Sequence, residues 1–210
     1  MTDVTHRISA VSRTVGSRTL EAGEARVVTV SRLYPDPIDD VWDACTSAER
    51  IPRWFLPVTG DLRLGGRYQL QGQAGGLIER CDPPSSFAAT WEWGGEVTWI
   101  ELHLVAEAGG TRLTLTHVAD VDNERWFPGD FGPGAVGVGW DMILLGLTMH
   151  LESGSAIDQA EAQAWVASDE GVAFTTASSD AWCAAAIAAG DPPDEARSAA
   201  DRTTSAYTGR

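Results

Sequence analysis

Few side chains in this sequence are placed to do chemistry. His117 ends the run TRLTLTHV and continues the parity of Leu113 and Leu115. At the edge of a cavity, a neutral imidazole there donates to a ligand oxygen or takes a proton near pH 7. Inside a packed core the same residue is simply a hydrogen-bonded histidine. Asp141 lies in the first turns of a long apolar segment. A carboxyl desolvated there has a raised pKa and can act as an acid. Glu79 and Arg80 sit in a short strand-like stretch whose facing the sequence leaves open. These residues do not compose a paired-carboxylate site. His117 and Asp141 are therefore the two catalytic candidates.

Other chemistries lack their motifs. There is no G-x-S-x-G and no H-E-x-x-H, and His6, His103, His117 and His150 have no metal-ligand spacing. Neither a metal nor a cofactor is expected. GPGAVG at 132–137 spells the dinucleotide fingerprint, but a loop precedes it where a parallel β-α-β unit is required. The chain contains no lysine, which excludes a Schiff-base lysine and a phosphate-loop lysine.

Aromatic side chains are the strongest signal, with nine tryptophans. Trp54 and Phe55 stand between Pro52 and Pro57, where a helix should end. Trp54, Phe55, Trp91, Trp93, Trp126, Phe131 and Trp140 are candidates to converge on one side of a sheet. Large rings with one indole donor suit a mostly apolar small-molecule site. Tyr68, Leu102, Leu115, His117 and Leu144 complete the candidate lining. Solid packing of the same rings is the competing reading, and it is favoured for Trp42, Trp165 and Trp182. The loop over 119–133 is long for a connection and carries Trp126, Phe131 and several glycines, as a lid would.

The elements that must position these residues follow from periodicity. Gly-Gly recurs at 65–66, 75–76, 94–95 and 109–110, and the intervening segments are rich in β-branched and aromatic residues. With ARVVTVSRLY at 25–34 they predict seven strands in an antiparallel meander. Ile100, Leu102 and Leu104 share one face, as do Leu113, Leu115 and His117. Asp36-Pro37 marks a helix start, and Ser47 a second short turn. GAVGVGWDMILLGLTMHL, about 134–151, is a helix apolar nearly all round, interrupted by Asp141, Thr148 and His150. That argues for burial and against a membrane span. A helix is also expected over about 3–15. Three more follow 155, one of them DEGVAFTTASSDAWCAAAIAA, closed by Gly190.

Composition sets the bounds. The hydrophobic fraction of 43% supports a core without disulfides, and the net charge of −15 repels nucleic acid. Cys45, Cys81 and Cys183 form no C-x-x-C, and no apolar leader precedes residue 25, which points to the cytoplasm. Acidic residues dominate from Glu152 to Glu195, with nine acids and no base. The chain divides into an N-terminal segment 1–24, a core 25–151 and an acidic helical extension 152–210 on the same domain. A homodimer is left open.

YPDPIDDVWDACTSAERIPRWFLP, DLRLGGRYQL, ERCDPPSSFAATWEW and GTRLTLTHV resemble the START-like superfamily, often called SRPBCC. The resemblance covers roughly 25–151. Within the superfamily the sequence resembles the AHSA-type branch, named after activators of a ninety-kilodalton heat-shock protein's ATPase. It implies an α+β helix-grip fold, a curved antiparallel sheet around a long C-terminal helix, with a cavity between them bordered by RWFLP. Its members bind lipids, hormones or polyketides, or act as cyclases. Three functions follow as expectations. The first is binding of a small, largely hydrophobic molecule. The second is a cyclase-like or other proton-transfer enzyme using His117 or Asp141. The third is a chaperone-linked adaptor acting through its surface.

Overall fold

The computed structural model describes residues 4–21, 23–120 and 130–209. The chain opens with α1 (Val4–Ser9) and β1 (Val11–Leu20), followed by β2 (Gly23–Tyr34), α2 (Ile38–Thr46) and a 3-10 turn at Ile51–Arg53. Six strands come next: β3 (Val58–Gly60), β4 (Arg67–Leu70), β5 (Gly75–Asp82), β6 (Ser86–Trp93), β7 (Glu96–Glu107) and β8 (Gly110–Asp120). Helices α3 (Gly134–Ser153), α4 (Gln159–Val166), α5 (Asp169–Ala189) and α6 (Pro193–Thr208) end the chain.

The sheet has eight strands in the order β1-β2-β8-β7-β6-β5-β4-β3, and β3 to β8 form an antiparallel meander. Two expectations are corrected here. The helix over about 3–15 ends at Ser9, and the sheet gains an eighth strand from VSRTVGSRTL. Val11, Thr14, Val15 and Thr19 are β-branched and favour extended backbone. Val11 and Arg13 share a buried face, so an arginine occupies a position where alternation would show an apolar residue. Asp36 does not cap α2 either; Pro37 holds that position, with no side-chain cap.

The glycine pairs do different jobs. Gly94-Gly95 and Gly109-Gly110 have positive φ and close the β6–β7 and β7–β8 hairpins. Gly75 and Gly76 lie inside β5, where a Cβ on Gly76 would overlap the Thr90 carbonyl. That pair permits close backbone approach and is not a hairpin turn.

The chain forms two compact units. Unit 1 comprises Met1–Val30, Ala119–Ile143 and Asp158–Arg210; unit 2 comprises Ser31–Val118 and Leu144–Ile157. In unit 2, Ile100, Leu102 and Leu104 of β7 and Leu113 and Leu115 of β8 are buried as their parity requires, with Val41 and Ala44 from α2. In unit 1, Val136, Val138 and Trp140 of α3 are buried, as are Phe174, Trp182 and Ala186 of α5 and Ala196, Ala199 and Ala200 of α6. Helix α5 has the bounds its sequence implied, with Ser168 accepting from Gly171 N–H at one end and Gly190 left-handed at the other. Helix α3 is long and apolar enough to cross a bilayer, yet Asp141, Thr148 and His150 are buried with its apolar side chains.

Close packing in unit 1 turns on Gly137, where a methyl group would overlap the Trp182 indole. Gly139 meets only the Tyr207 hydroxyl at ordinary contact distance. Gly137→Ala should therefore cost about 1–3 kcal/mol through overpacking. Gly139→Ala should be neutral, or stabilising by up to about 1 kcal/mol from helix propensity. Urea unfolding of the two variants checks the contrast, and equal effects would contradict this packing.

Candidate functional site

In unit 2 the inward face of the sheet carries a polar group among apolar ones. His117 of β8 is fully buried opposite Ile100 of β7. Thr98, one step along β7 on the same face as Ile100, has its hydroxyl 2.8 Å from His117 Nε2. That hydroxyl donates its single proton to the Trp91 carbonyl at 3.1 Å. The Thr98 hydroxyl thus lies between the His117 ring and the Trp91 carbonyl, within hydrogen-bonding distance of both. The Trp91 ring meets the imidazole edge-on, with centroids 6.4 Å apart. Burial drives the imidazole pKa down to about 3, so the ring is neutral at pH 7.

Leu102 and Leu115 are the next pair along this face and are buried, as is Leu144 elsewhere in unit 2. The Tyr34 hydroxyl, also buried, donates to the Leu144 carbonyl at 3.4 Å. Tyr68 is half-buried and reaches from β4 to the Thr90 carbonyl at 2.8 Å. Trp54 and Phe55 follow the 3-10 turn as a stacked, half-exposed pair with centroids 5.8 Å apart. The Trp54 indole donates to the Ala44 carbonyl at 2.9 Å, tying the turn to α2. Along the inward face of β6 exposure rises from 2% at Ala89 to 5% at Trp91 and 39% at Trp93.

The remaining predicted residues belong to unit 1 or lie outside the described residues. Trp140 is buried in unit 1, and the Phe131 carbonyl accepts from Thr203 at 2.9 Å. Trp126 and most of the expected lid fall in 121–129, outside the described residues. Asp141 is the centre of a buried cluster. Its Oδ2 accepts from Arg13 Nε at 2.9 Å, from Trp182 Nε1 at 3.1 Å and from the Ser178 hydroxyl. Burial pushes the Asp141 pKa above the ordinary carboxylate value, against the opposing pull of Arg13, Ser178 and Trp182. His117 and Asp141 thus sit in different units, each with its own partners. Glu79 and Arg80 are both exposed, beside a register shift in β5. Of the helical tryptophans, Trp182 is fully buried, while Trp42 and Trp165 are half-buried edge-on to Phe87 and Phe174.

Sequence reasoning missed Thr98, Tyr34, Arg13 and Ser178. Thr98 had a signal, a hydroxyl residue in the inward row with Ile100 and Leu102. Arg13 had none, because its partner lies 128 residues away. Among the described residues no group of three His, Cys, Asp and Glu side chains is arranged to hold a metal ion.

His117 makes stability pH-dependent. Its folded pKa lies below its ordinary value of 6.5, so the unfolded chain takes the proton first. The stability it contributes is complete above pH 6.5 and drains as pH falls toward 3. Unfolding free energies from urea titrations should fall by about 1 kcal/mol per pH unit between about pH 6 and pH 5. His117→Gln should flatten that slope, and an unchanged slope would assign it elsewhere.

The comparisons with known proteins agree with this architecture. The family described as "Activator of Hsp90 ATPase homolog 1-like protein" matches over residues 36–152. The crystal structure of CalU16 from Micromonospora echinospora is 36% identical, with 85% of this chain and 99% of that one covered and a TM-score of 0.68. The solution structure of CalU16 gives 32% identity, 95% and 94% coverage and a TM-score of 0.65. The crystal structure of DynU16, a protein in the dynemicin biosynthetic locus, gives 20% identity, 62% and 48% coverage and a TM-score of 0.54. At that identity the likeness concerns the fold alone. No curated protein matches the sequence. The family match over more than half of the chain, the CalU16 likeness and the antiparallel sheet with its long helix together make this chain a member of the Activator of Hsp90 ATPase homolog 1-like family, with the START-like helix-grip fold.

Proposed function

We propose that unit 2 binds a small, largely hydrophobic molecule between the inward face of its sheet and the Leu144–Ile157 part of the chain. The exposure gradient along β6 carries this reading. One apolar face runs from a closed core at Ala89 and Trp91 to solvent at Trp93, so an aromatic ring marks where that face opens. Covering the exposed part of this ring with an apolar molecule removes apolar surface from water, which favours binding there. The half-exposed Trp54–Phe55 stack adds a second apolar surface in the same unit. The Trp54 indole proton is already committed to Ala44, which leaves that side chain its apolar ring faces.

Binding is favoured over catalysis by the state of the two acid/base candidates. An imidazole that titrates near 3 is a weak base at neutral pH. The Asp141 carboxylate is held by Arg13, Ser178 and Trp182 within unit 1. His117 serves better as a fixed polar mark in an apolar wall, where few polar groups orient a ligand.

Native and denaturing mass spectra of the protein as purified from cells test the reading. An added mass of a few hundred daltons in the native spectrum alone is expected for an occupant of such a pocket. An anilinonaphthalene dye, as apolar probe, should bind the protein stripped of any occupant. Trp93→Ala should weaken dye binding by about tenfold while changing unfolding free energy by less than about 0.5 kcal/mol, as at an exposed position. A bare mass in both spectra together with no dye binding would sink the proposal.

A further inference from the structure

We propose that unit 1 holds one internal water molecule, bonded to both Arg13 Nη2 and Asp141 Oδ1. The argument starts from an imbalance at the Asp141 carboxylate. Three donors converge on Oδ2: Arg13 Nε, the Ser178 hydroxyl and Trp182 Nε1. Among the described residues Oδ1 has no hydrogen-bond partner, and neither has Arg13 Nη2. The Arg13 and Asp141 side chains are 5% and 1% exposed, so bulk solvent does not satisfy either atom. A buried charged group left one hydrogen bond short bears the full cost of its lost hydration.

The two unpartnered atoms belong to one buried ion pair. Nε and Nη2 point their protons from one edge of the planar guanidinium, the edge that normally receives both carboxylate oxygens. Here the edge meets the carboxylate through Nε alone. Closing the fork would swing Oδ2 out of the positions that serve Ser178 and Trp182. Arg13 cannot turn instead, because its Nη1 donates to the carbonyls of Ile8 at 3.1 Å and Val11 at 2.9 Å. Protonating Asp141 on Oδ1 supplies no remedy, since Nη2 is itself a donor and the new proton would face no acceptor there. A molecule that accepts from Nη2 and donates to Oδ1 satisfies both atoms with every existing bond retained. Water is the smallest molecule with both capacities, and buried waters occupy such polar niches with two to four partners.

A crystal structure of the full chain, at a resolution that shows ordered solvent, tests this directly. The expected result is a density peak within about 3 Å of both Arg13 Nη2 and Asp141 Oδ1. In solution, water-selective NOE and ROE spectra should show a long-lived water at the Trp182 Nε1 proton. Ser178→Ala serves as control, because a hydroxyl proton exchanging with solvent can mimic that signal; the cross-peak should survive it. A carboxylate found forked onto Nε and Nη2 would overturn the proposal. So would clear density with no peak between the two atoms, or a cross-peak that vanishes in Ser178→Ala.

Discussion

A helix that is apolar nearly all round has little surface to offer water, and α3 (Gly134–Ser153) imposes that constraint on the chain. Its two halves meet it within separate units. In unit 1, Gly137 lets the Trp182 indole lie against the helix backbone, and Tyr207 and Thr203 of α6 bond the carbonyls of Ala135 and Phe131. In unit 2, the Tyr34 hydroxyl reaches the Leu144 carbonyl, and Gly146 makes room for the carbonyl of Trp54. Small residues at 137 and 146 are therefore contact points, where side chains or backbone from elsewhere approach the helix closely.

Enclosing the helix also encloses ionisable groups, and the two units handle them in opposite ways. Asp141 has a counter-ion in Arg13, with two neutral donors on the same oxygen. Removing one member of such a pair strands the other charge, which is why buried pairs are costly to break. His117 is bonded to Thr98 and is held as a neutral ring by burial. The Thr98 hydroxyl lies 2.8 Å from His117 Nε2 and also meets the Trp91 carbonyl. The first arrangement joins β1, α3 and α5. The second keeps a neutral histidine and a threonine hydroxyl together on the face that carries Ile100, Leu102 and Leu115.

The family match ends at residue 152 and begins at residue 36, so Arg13, Ser178 and Trp182 all lie outside it. Asp141 alone of that cluster lies inside. The terminal segments are thus joined to the family's long helix by a specific polar connection as well as by apolar packing. His117, Thr98, Trp91 and Trp93 lie within the matched region, and the proposed binding face is built from the part of the chain that the family shares.

Local patterns were enough for much of this molecule. Strict alternation assigned the buried face in β7 and the first half of β8, because a strand's side chains can only point two ways, whereas both faces of β8 are buried from Leu115 to Ala119. Helix α5 was legible to the residue, since an acidic first turn and a left-handed glycine are chemistry confined to its ends. The all-apolar character of α3 announced that both sides would be covered, and by elimination pointed to the C-terminal helices. β1 was not legible. Its buried face carries Arg13, which looks like a surface residue until Asp141, far along the chain, is brought beside it. Asp141 and His117 looked alike as buried candidates for acid/base work. Only tertiary structure separated them, because a buried group's charge is decided by which donors and counter-charges the fold brings within hydrogen-bonding distance, and those partners come from strands and helices remote in sequence.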